Sequence, residues 1–383
     1  MMLLARVHLR RNDLDACGTQ CDTLLRVNAE HEEALMTKAD ILFLQEQYDL
    51  ATEKYEALLM SKPNNYAALA QLIVLLRRAG KLEEVQPFLS LAEHSNPRAE
   101  SHAGLHHCKG VFYRAQHDVQ KAVKHFNLAR RDGKWGAPSL MHMIELYINP
   151  DNETLWDDQE TEESAEAVRV AEKLLRELHG MTDPQSLKYR VLESYQLLAT
   201  KQKANVDRAM HNFIEILETE KDYLPALLGM STAFMLENST TKARNALKRI
   251  AKMTYSHELA DEFERGYLLL ADIYIQKSKF DLAEDLCRRC LKYNKSCGKA
   301  WESMGVIKEK EHAYKDAAEY YEKAWQLEHK ASAPIGFKLA FNYMKSKRYV
   351  EAIDVCCSVL RQFPDYPKIR KEILEKAMSA LRP

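Results

Sequence analysis

A repeat of 34 residues runs along most of this chain, and it constrains the fold more than any other feature. The clearest unit is residues 298–331, with Trp301 at position 4, Gly305 at position 8, Ala317 at position 20 and Tyr321 at position 24. Small residues at two fixed positions, with bulky residues between them, indicate two helices that cross closely. The chain is therefore expected to stack antiparallel helix pairs along its length.

The same register holds in the units on either side of this one. Positions 8 and 20 again carry small residues, namely Ala39 and Ala51, Gly110 and Ala122, Ala271 and Ala283, and Ala340 and Ala352. Two helices approach closely only where one of them presents a small residue, and bulky neighbours then fill the adjoining groove. Together with Trp301, Gly305 and Ala317, these residues are predicted to form the packing between helices.

Less regular units complete the array. The predicted organisation is a truncated repeat over residues 1–31, three repeats over 32–136, an irregular repeat over 137–189 with an acidic insertion at 151–163, two repeats over 190–257, three repeats over 264–366 and a capping helix over 367–383. Pro63, Pro97 and Pro364 stand at position 32 of their units, where a helix must stop. Because the first unit begins inside a helix and lacks a polar cap, we expect a fragment or short isoform of a longer array.

These features are typical of the tetratricopeptide repeat, whose units stack into a right-handed superhelical solenoid. Composition agrees with this class, because only 12 Gly and 11 Pro occur among 383 residues. The expected fold is all-α, a solenoid of antiparallel helix pairs closed by an amphipathic capping helix at its C-terminal end.

Charge, cysteine spacing and the length of uncharged stretches limit the partners and the compartment expected for the chain. The formal net charge is -1, which gives no basic face for nucleic acid or an anionic membrane. Eight cysteines without paired spacing favour a reducing compartment over a secreted disulfide framework. The longest uncharged stretch, residues 223–236, is too short to span a bilayer. We expect a cytoplasmic protein that binds no nucleic acid and does not insert into a membrane.

The residues that could carry chemistry have a packing interpretation. Cys17, Cys21, Cys287, Cys290 and Cys356 occupy positions 20, 24 or 27, where this fold packs small apolar side chains, and cysteine behaves as a small hydrophobe. The cluster His102, His106, His107 and Cys108 lacks the glutamate of a zinc protease helix and any second ligand pair. Phosphate-binding loops and nucleophile elbows are absent from the sequence. No catalytic, cofactor or metal site is predicted.

A candidate partner-binding surface lies in the last full repeat. Phe337, Phe341 and Met344 fall at positions 5, 9 and 12, on the first-helix face that lines the concave side in this repeat class. Since the opposite face of the same helix already serves the core, a second cover is required, either another turn of the superhelix or a partner. Equivalent positions are held by Val306, Leu228, Met235, Met36 and Phe43.

The acidic insertion offers a second candidate. Residues 151–163 contain seven acidic residues and no basic one, with Trp156 among them. Such a segment is either a solvated loop or a docking element that uses Trp156 as an aromatic anchor.

Three stretches outside the repeat's consensus positions carry a more specific resemblance. Their sequences are FNLARRDGKWG at 126–136, YINPDNETLW at 147–156 and KSCGKAW at 295–301. They resemble the C-terminal part of the tetratricopeptide repeat protein 21 family, the large repeat subunit of intraflagellar transport complex A. The resemblance implies a role in retrograde ciliary transport and cilium assembly, with other transport subunits and ciliary cargo as partners, in the cytoplasm, the cilium and the ciliary base.

The leading functional hypothesis is a non-catalytic protein-protein interaction scaffold that holds subunits of a transport complex. The alternative is a peptide-binding chaperone adaptor, which uses Lys, Asn and Arg at fixed positions as a carboxylate clamp. In this chain the corresponding positions hold Met36, Asp40, Gln71, Leu268 and Asp272, so the clamp is not found. A third hypothesis, the targeting region of a repeat-bearing enzyme, requires a catalytic domain outside this sequence.

Overall fold

The computed structural model of the chain describes residues 1–11, 13–28, 31–45, 47–95, 97–149, 162–366 and 368–381. Across those ranges the regular secondary structure is helical, without a β-strand. The all-α repeat class predicted from the sequence is therefore confirmed. The chain divides into two compact units, unit 1 over Met1–Leu236 and unit 2 over Glu237–Pro383.

Unit 1 is a series of short helices, most of which pack against their neighbours in sequence. Its α-helices are α1 Met2–Arg10, α2 Leu14–Val27, α3 Glu32–Leu44, α4 Tyr48–Ser61, α5 Tyr66–Ala79, α6 Gln86–His94, α7 Ala103–Ala115, α8 Val119–Ala129, α9 Gly136–Ile148, α10 Glu162–His179, α11 Leu187–Ala199, α12 Lys203–Thr219 and α13 Leu224–Leu236. First helices of successive repeats also touch, as α5 with α7 and α9 with α11 do. This double contact is how stacked repeats share one core.

Unit 2 continues in the same manner. Its α-helices are α14 Thr240–Lys252, α15 Ala260–Gln276, α16 Phe280–Tyr293, α17 Gly298–Lys310, α18 Tyr314–Leu327, α19 Ala333–Lys345, α20 Tyr349–Gln362 and α21 Glu375–Leu381. Short 3-10 turns occur at Leu82–Val85, Ala99–Ser101 and His257–Leu259, and a π-helical turn at Arg370–Leu374 precedes α21. Nowhere in the described ranges is a helix long and apolar enough to cross a bilayer.

Several helices of unit 1 begin at a residue whose side chain caps the first turn. Asp13, Asn65, Asp118 and Ser186 each accept a hydrogen bond from the backbone N–H three residues later, over 3.0 to 3.4 Å. Such caps satisfy one of the four N–H groups that the first turn of a helix leaves without a partner. The helix starts are thus specified locally, before any packing.

The turn after the first helix of a repeat uses a left-handed residue. The residue at position 15 has φ of 61° at His117, 54° at Ser278, 61° at His312 and 64° at Lys347. At Lys347 the backbone N–H bonds the Met344 carbonyl at 3.1 Å, and the next N–H, of Arg348, reaches the Tyr343 carbonyl at 2.8 Å. This Schellman pattern reverses the chain in few residues, which allows α19 and α20 to lie side by side.

Small residues of the repeat lie at the centre of the packing. Ala39, Ala51, Ala122, Ala271, Ala283, Ala317, Ala340 and Ala352 have no exposed surface. Gly110 and Gly305 are buried as well. A Cβ placed on Gly110 would come within 2.5 Å of the ring of Phe126, so no larger residue fits between α7 and α8 without a shift.

The position expected for Trp301 needs correction. Its repeat position predicts a residue packed between the helices, but its side chain is only half-buried against the core of unit 2. Its indole Nε1 donates to the Lys295 carbonyl at 2.9 Å, and the ammonium of Lys323 lies 4.4 Å from the ring centroid. The buried tryptophan of this unit is Trp325, only 6% exposed. Position 4 of this repeat therefore lies at the margin of the core.

The segment after α20 covers the end of unit 2. Ile369, Ile373 and Ala377 are completely buried and pack into the same core as α18, α19 and α20. Leu374 is partly buried beside them. The remaining positions of the segment are largely charged and exposed, which gives the array a polar outer face at this end.

Candidate functional site

The surface predicted to bind a partner in unit 2 lies on α19. Phe337, Phe341 and Met344 are half-buried: each packs partly against the core and leaves the rest of its side chain uncovered. On the opposite face of the helix, Leu339 and Tyr343 are 1% and 3% exposed. The helix is therefore apolar on two faces, of which one is fully covered. Phe337, Phe341, Met344 and the adjoining Val306 of α17 are called the α19 surface below.

Polar contacts hold α19 against α17. Lys338 donates to the Glu302 carboxylate at 2.7 Å, and the fully buried Asn342 donates through Nδ2 to Glu309 at 2.8 Å. Burial raises the pKa of Glu302, but the ammonium groups of Lys338 and Lys299 outweigh it and bring the pKa below its usual value. Both contacts fix the rotation of α19 about its own axis and so keep Phe337, Phe341 and Met344 on the uncovered face of the helix.

Aromatic and basic groups border the α19 surface. The rings of Phe337 and Tyr366 lie 6.2 Å apart between centroids. At the other end the ammonium of Lys345 is 5.4 Å from the Phe341 ring centroid. An apolar surface edged by a cation favours a partner segment that combines apolar side chains with carboxylates.

A pocket adjoins the basic end of this surface. It lies between the α17–α18 and α19–α20 turns and is lined by His312, Ala313, Tyr314, Lys315, Asp316, Lys345, Ser346 and Arg348. Arg348 forms an ion pair with Glu351 at 2.9 Å. The remaining charged residues of the lining are Lys315 and Lys345, which are positive, and a single acid, Asp316. The pocket therefore has a basic lining, and Lys345 belongs to both features.

The equivalent positions elsewhere do not all reach the surface. Met36, Met235 and Val306 are half-buried, as the α19 residues are. Phe43 is 6% exposed and packs edge-on against Tyr48 at 5.1 Å, and Leu228 is 2% exposed. The prediction of an accessible binding position is therefore wrong for Phe43 and Leu228, because the core of unit 1 already covers them. They are core residues.

Most of the acidic insertion, with its candidate Trp156, lies outside the described residues. Its last two acids, Glu162 and Glu163, form the first turn of α10. Carboxylates at that place interact favourably with the positive end of the helix dipole. These two acids thus have a structural role in starting α10.

The histidine cluster of α7 is taken up by local contacts. His102 caps the helix, its Nδ1 accepting from the Gly104 N–H at 3.0 Å, and His106 stacks on His125. His107 is buried, with Nδ1 2.9 Å from the Ser139 hydroxyl, and burial lowers its pKa to about 4. These contacts give the three side chains structural roles in α7 and α8.

The structure also brings together a group that the sequence analysis missed. One ligand atom each of Glu264, Cys290 and Cys297 lies within 4.8 Å of the other two. Glu264 and Cys297 are the first and last residues of one 34-residue unit, so the repeat register brings them together in space. The spacing of cysteines along a single helix does not reveal a contact among α15, α16 and the start of α17.

A stack of helix pairs that leaves apolar side chains half-covered defines the class of helical-repeat scaffolds that bind other proteins. Comparison with known proteins narrows this class. Residues 170–378 match the family model described as tetratricopeptide repeat protein 21 C-terminal ARM domain, and residues 32–148 match the one described as TT21 fifth ARM repeats domain. The chain therefore belongs to the tetratricopeptide repeat protein 21 family, and the resemblance found in the sequence is confirmed.

Individual relatives match the chain from end to end. Human tetratricopeptide repeat protein 21B is 49% identical over 100% of this chain, and mouse tetratricopeptide repeat protein 21A is 44% identical over 99% of it. The Caenorhabditis elegans tetratricopeptide repeat protein 21 homolog is 28% identical over 100% of the chain. In each case the match covers 30% of the relative. The chain thus spans less than a third of the length of the curated relatives it matches.

Solved structures with similar folds are more distant. A tetratricopeptide repeat protein from Parabacteroides merdae is 15% identical, with a TM-score of 0.48 over 72% of this chain and 98% of that one. The APC/C hetero-tetramer Cut9-Hcn1 is 14% identical, with a TM-score of 0.40 over 99% of this chain and 89% of that one.

Proposed function

We propose that this chain is a non-catalytic protein-protein interaction scaffold within intraflagellar transport complex A, acting in retrograde ciliary transport and cilium assembly. Its partners are other subunits of that complex and ciliary cargo, and it works in the cytoplasm, at the ciliary base and in the cilium. Membership of the tetratricopeptide repeat protein 21 family is the observation that carries the proposal.

The α19 surface supports the proposal with a place for a partner to bind. Its half-buried Phe337, Phe341 and Met344 already contact the core. When a partner covers them, these three side chains therefore lose little conformational entropy, and the complex gains buried apolar area. Lys345 at the basic end would pair with a carboxylate of the same partner segment. We therefore propose that the bound segment is apolar along one side and acidic at the end next to Lys345.

We propose no enzymatic activity for this chain. A nucleophilic cysteine needs a thiolate, but burial raises the pKa of Cys21, Cys287 and Cys356 to about 12. Histidine, the commonest general base, works best with a pKa near neutral pH, but burial lowers the pKa of His107 to about 4. Both shifts favour the structural roles proposed for these side chains.

The chaperone-adaptor alternative is less well supported. A carboxylate clamp needs cations where the ligand's terminal carboxylate binds, and this chain has the acids Asp40 and Asp272 at two of the examined positions. Asp40 accepts a hydrogen bond from the Tyr55 hydroxyl at 3.0 Å, so its carboxyl group serves the α3–α4 contact. An acid there repels a second carboxylate.

Affinity purification from ciliated cells tests the proposal. The tagged 383-residue chain is expressed and its partners are identified by mass spectrometry, beside the Phe341→Ala variant. Recovery of intraflagellar transport subunits supports the scaffold role, and loss of an aromatic interface anchor should reduce that recovery by about 5-fold or more. Recovery of heat-shock proteins instead supports the chaperone adaptor, and recovery of neither contradicts both hypotheses.

A matched control separates binding from folding. Leu282 is a 50% exposed apolar residue on α16, so Leu282→Ala removes exposed apolar surface away from α19. It should leave partner recovery unchanged. Thermal unfolding of all three proteins shows whether Phe341→Ala acts through stability, because a folding defect would lower the melting temperature as well as the recovery.

A further inference from the structure

The group formed by Glu264, Cys290 and Cys297 draws on three consecutive elements of unit 2. Glu264 lies in the second turn of α15, Cys290 in the last turn of α16, and Cys297 immediately before α17. The sulfur atoms are enclosed, because Cys290 and Cys297 are 2% and 6% exposed, whereas Glu264 is half-buried and reaches solvent. In the described ranges no other His, Cys, Asp or Glu side chains form such a group of three.

Packing alone does not account for a carboxylate in this place. A cysteine that serves as a small hydrophobe needs apolar neighbours. Here the carboxyl group of Glu264 lies within 4.8 Å of both sulfur atoms, where its negative charge meets thiols that burial has removed from water. A bound cation would offset the charges of the carboxylate and of the two thiolates that form when the metal replaces their protons.

A second residue orients the carboxylate. Asn294 is 6% exposed, and its Nδ2 donates to Glu264 Oε2 at 2.7 Å. Its Oδ1 accepts from the backbone N–H of Ser296 at 3.1 Å and from the Ser296 hydroxyl at 2.9 Å. The amide is thereby fixed, and it holds the Glu264 carboxylate in place beside the sulfur atoms. Hydrogen-bonded partners of this kind hold the ligating side chains in many metal sites.

We propose that Glu264, Cys290 and Cys297 bind one thiophilic divalent cation, Zn²⁺, with solvent as the fourth ligand. Two sulfurs and one carboxylate oxygen are a donor set that Zn²⁺ accepts in tetrahedral geometry. Ligand atoms around such an ion lie roughly 3.5 to 3.8 Å apart, which the observed grouping within 4.8 Å reaches by side-chain rotation. Each of the two thiols releases its proton to solvent when its sulfur binds the metal.

The position of Cys297 favours this chemistry. It is the residue that caps the N-terminal end of α17, where the helix dipole stabilises a negative charge. A metal held there would connect α15, α16 and α17, the helices that carry two successive repeats. Its expected effect on the protein is therefore structural, a stabilisation of unit 2 that grows with metal concentration.

Cobalt titration of the complete 383-residue chain tests the proposal, with Co²⁺ and Zn²⁺ as the probes. The protein is purified in reducing buffer, stripped with a chelator and titrated with Co²⁺. We expect a thiolate-to-cobalt charge-transfer absorption that saturates at one equivalent and disappears when Zn²⁺ is added. Zn²⁺ should also raise the melting temperature of the stripped protein.

Variants assign the ligands. Cys297→Ser and Cys290→Ser each leave one thiolate, so each should weaken Co²⁺ binding and lower the charge-transfer absorption at saturation by about half. Glu264→Gln should weaken binding at least about 10-fold while the absorption at saturation remains. Glu264 is half-buried, so its variant keeps the test valid even if a cysteine variant fails to fold. Cys356→Ser, a completely buried cysteine of α20, is the matched control and should bind as the parent does.

Two results would overturn the proposal. One is a parent protein that gives no thiolate charge-transfer absorption with Co²⁺ under reducing conditions. The other is a Cys297→Ser variant whose absorption and affinity equal those of the parent, because Cys297 would then not be a ligand.

Discussion

Gly305 lies directly against the ring of Tyr321, so close that a Cβ on the glycine would stand 2.8 Å from Cε1. The two residues are positions 8 and 24 of one repeat and join α17 to α18. Gly110 and Phe126 repeat the relationship between α7 and α8, at 2.5 Å. The distance between the two helices in these units is therefore possible only because glycine has no Cβ.

Gly305→Ala should destabilise the protein by about 1 to 3 kcal/mol, because the added methyl group forces the Tyr321 ring or the helix axis to move. Urea unfolding monitored by circular dichroism measures the change. Gly18→Ala is the control, since nothing lies within 4 Å of a Cβ on this helical glycine. It should stabilise α2 by about 0.5 to 1 kcal/mol. Equal effects of the two substitutions would contradict the steric explanation.

The two tryptophans of the repeat over residues 298–331 should differ in their contribution to stability. Trp325→Ala removes a 6% exposed ring from the core of unit 2 and should cost about 3 to 5 kcal/mol. Trp301→Ala removes a half-buried ring and one hydrogen bond, so about 1 to 2 kcal/mol is expected. Unfolding free energies of both variants give the comparison. A larger loss of stability for Trp301→Ala would show that Trp301, not Trp325, contributes more to the core.

Asp40 should make stability fall as the pH rises from about 4 to about 6. Burial raises its folded-state pKa to about 6, against the opposing hydrogen bond from Tyr55, whereas an unfolded aspartate titrates near about 3.9. Between these values the folded protein holds more protons than the unfolded chain, so raising the pH favours unfolding. Asp40→Asn should therefore add about 1 to 3 kcal/mol at pH 7 and flatten this part of the profile.

A surface aspartate is the control for that profile. Asp49 is 86% exposed and pairs with Lys81, so Asp49→Asn should change stability by less than about 1 kcal/mol at any of these pH values. If Asp40→Asn leaves the slope between pH 4 and 6 unchanged, the buried carboxyl group is not its source. Melting temperatures measured at half-unit pH steps are sufficient to decide.

Lys347→Gly should stabilise the turn between α19 and α20. Lysine at φ 64° brings its Cβ close to the following carbonyl, and glycine has no such contact. The net gain is about 0.5 to 1 kcal/mol after the entropy of glycine in the unfolded chain is deducted. Ser346→Gly, at φ -84°, has no such strain to relieve and should be neutral or destabilising. Thermal unfolding measures both variants, and a Lys347→Gly variant that is no more stable than the parent would contradict the strain assigned to this turn.

The helical class was predictable because repeat spacing is a local property of the sequence. Small residues at positions 8 and 20, such as Ala271 and Ala283, indicate helix crossings without knowledge of the third dimension. The depth of Trp301 was not predictable from its position number. A bulky residue at the margin of a helix pair and one at its centre obey the same periodicity, and only packing distinguishes them.

The candidate sites were predictable to a smaller degree. The apolar positions on α19 follow from helical periodicity, but the same positions at Phe43 and Leu228 are covered by the core of unit 1. Periodicity gives the direction of a side chain and says nothing of what lies opposite. Cys297 was missed for a related reason, since Glu264 is 33 residues away in sequence and adjacent only after folding.

Site-specific photo-crosslinking tests the scaffold role and the α19 surface together. A photoreactive amino acid replaces Met344 on the α19 surface or, as the control, the exposed Leu282 on α16, and the chain is irradiated in ciliated cells. We expect a crosslink from position 344 to a subunit of the intraflagellar transport complex and none from position 282. A transport subunit captured at 282 but not at 344, or no transport subunit captured at 344, would contradict it.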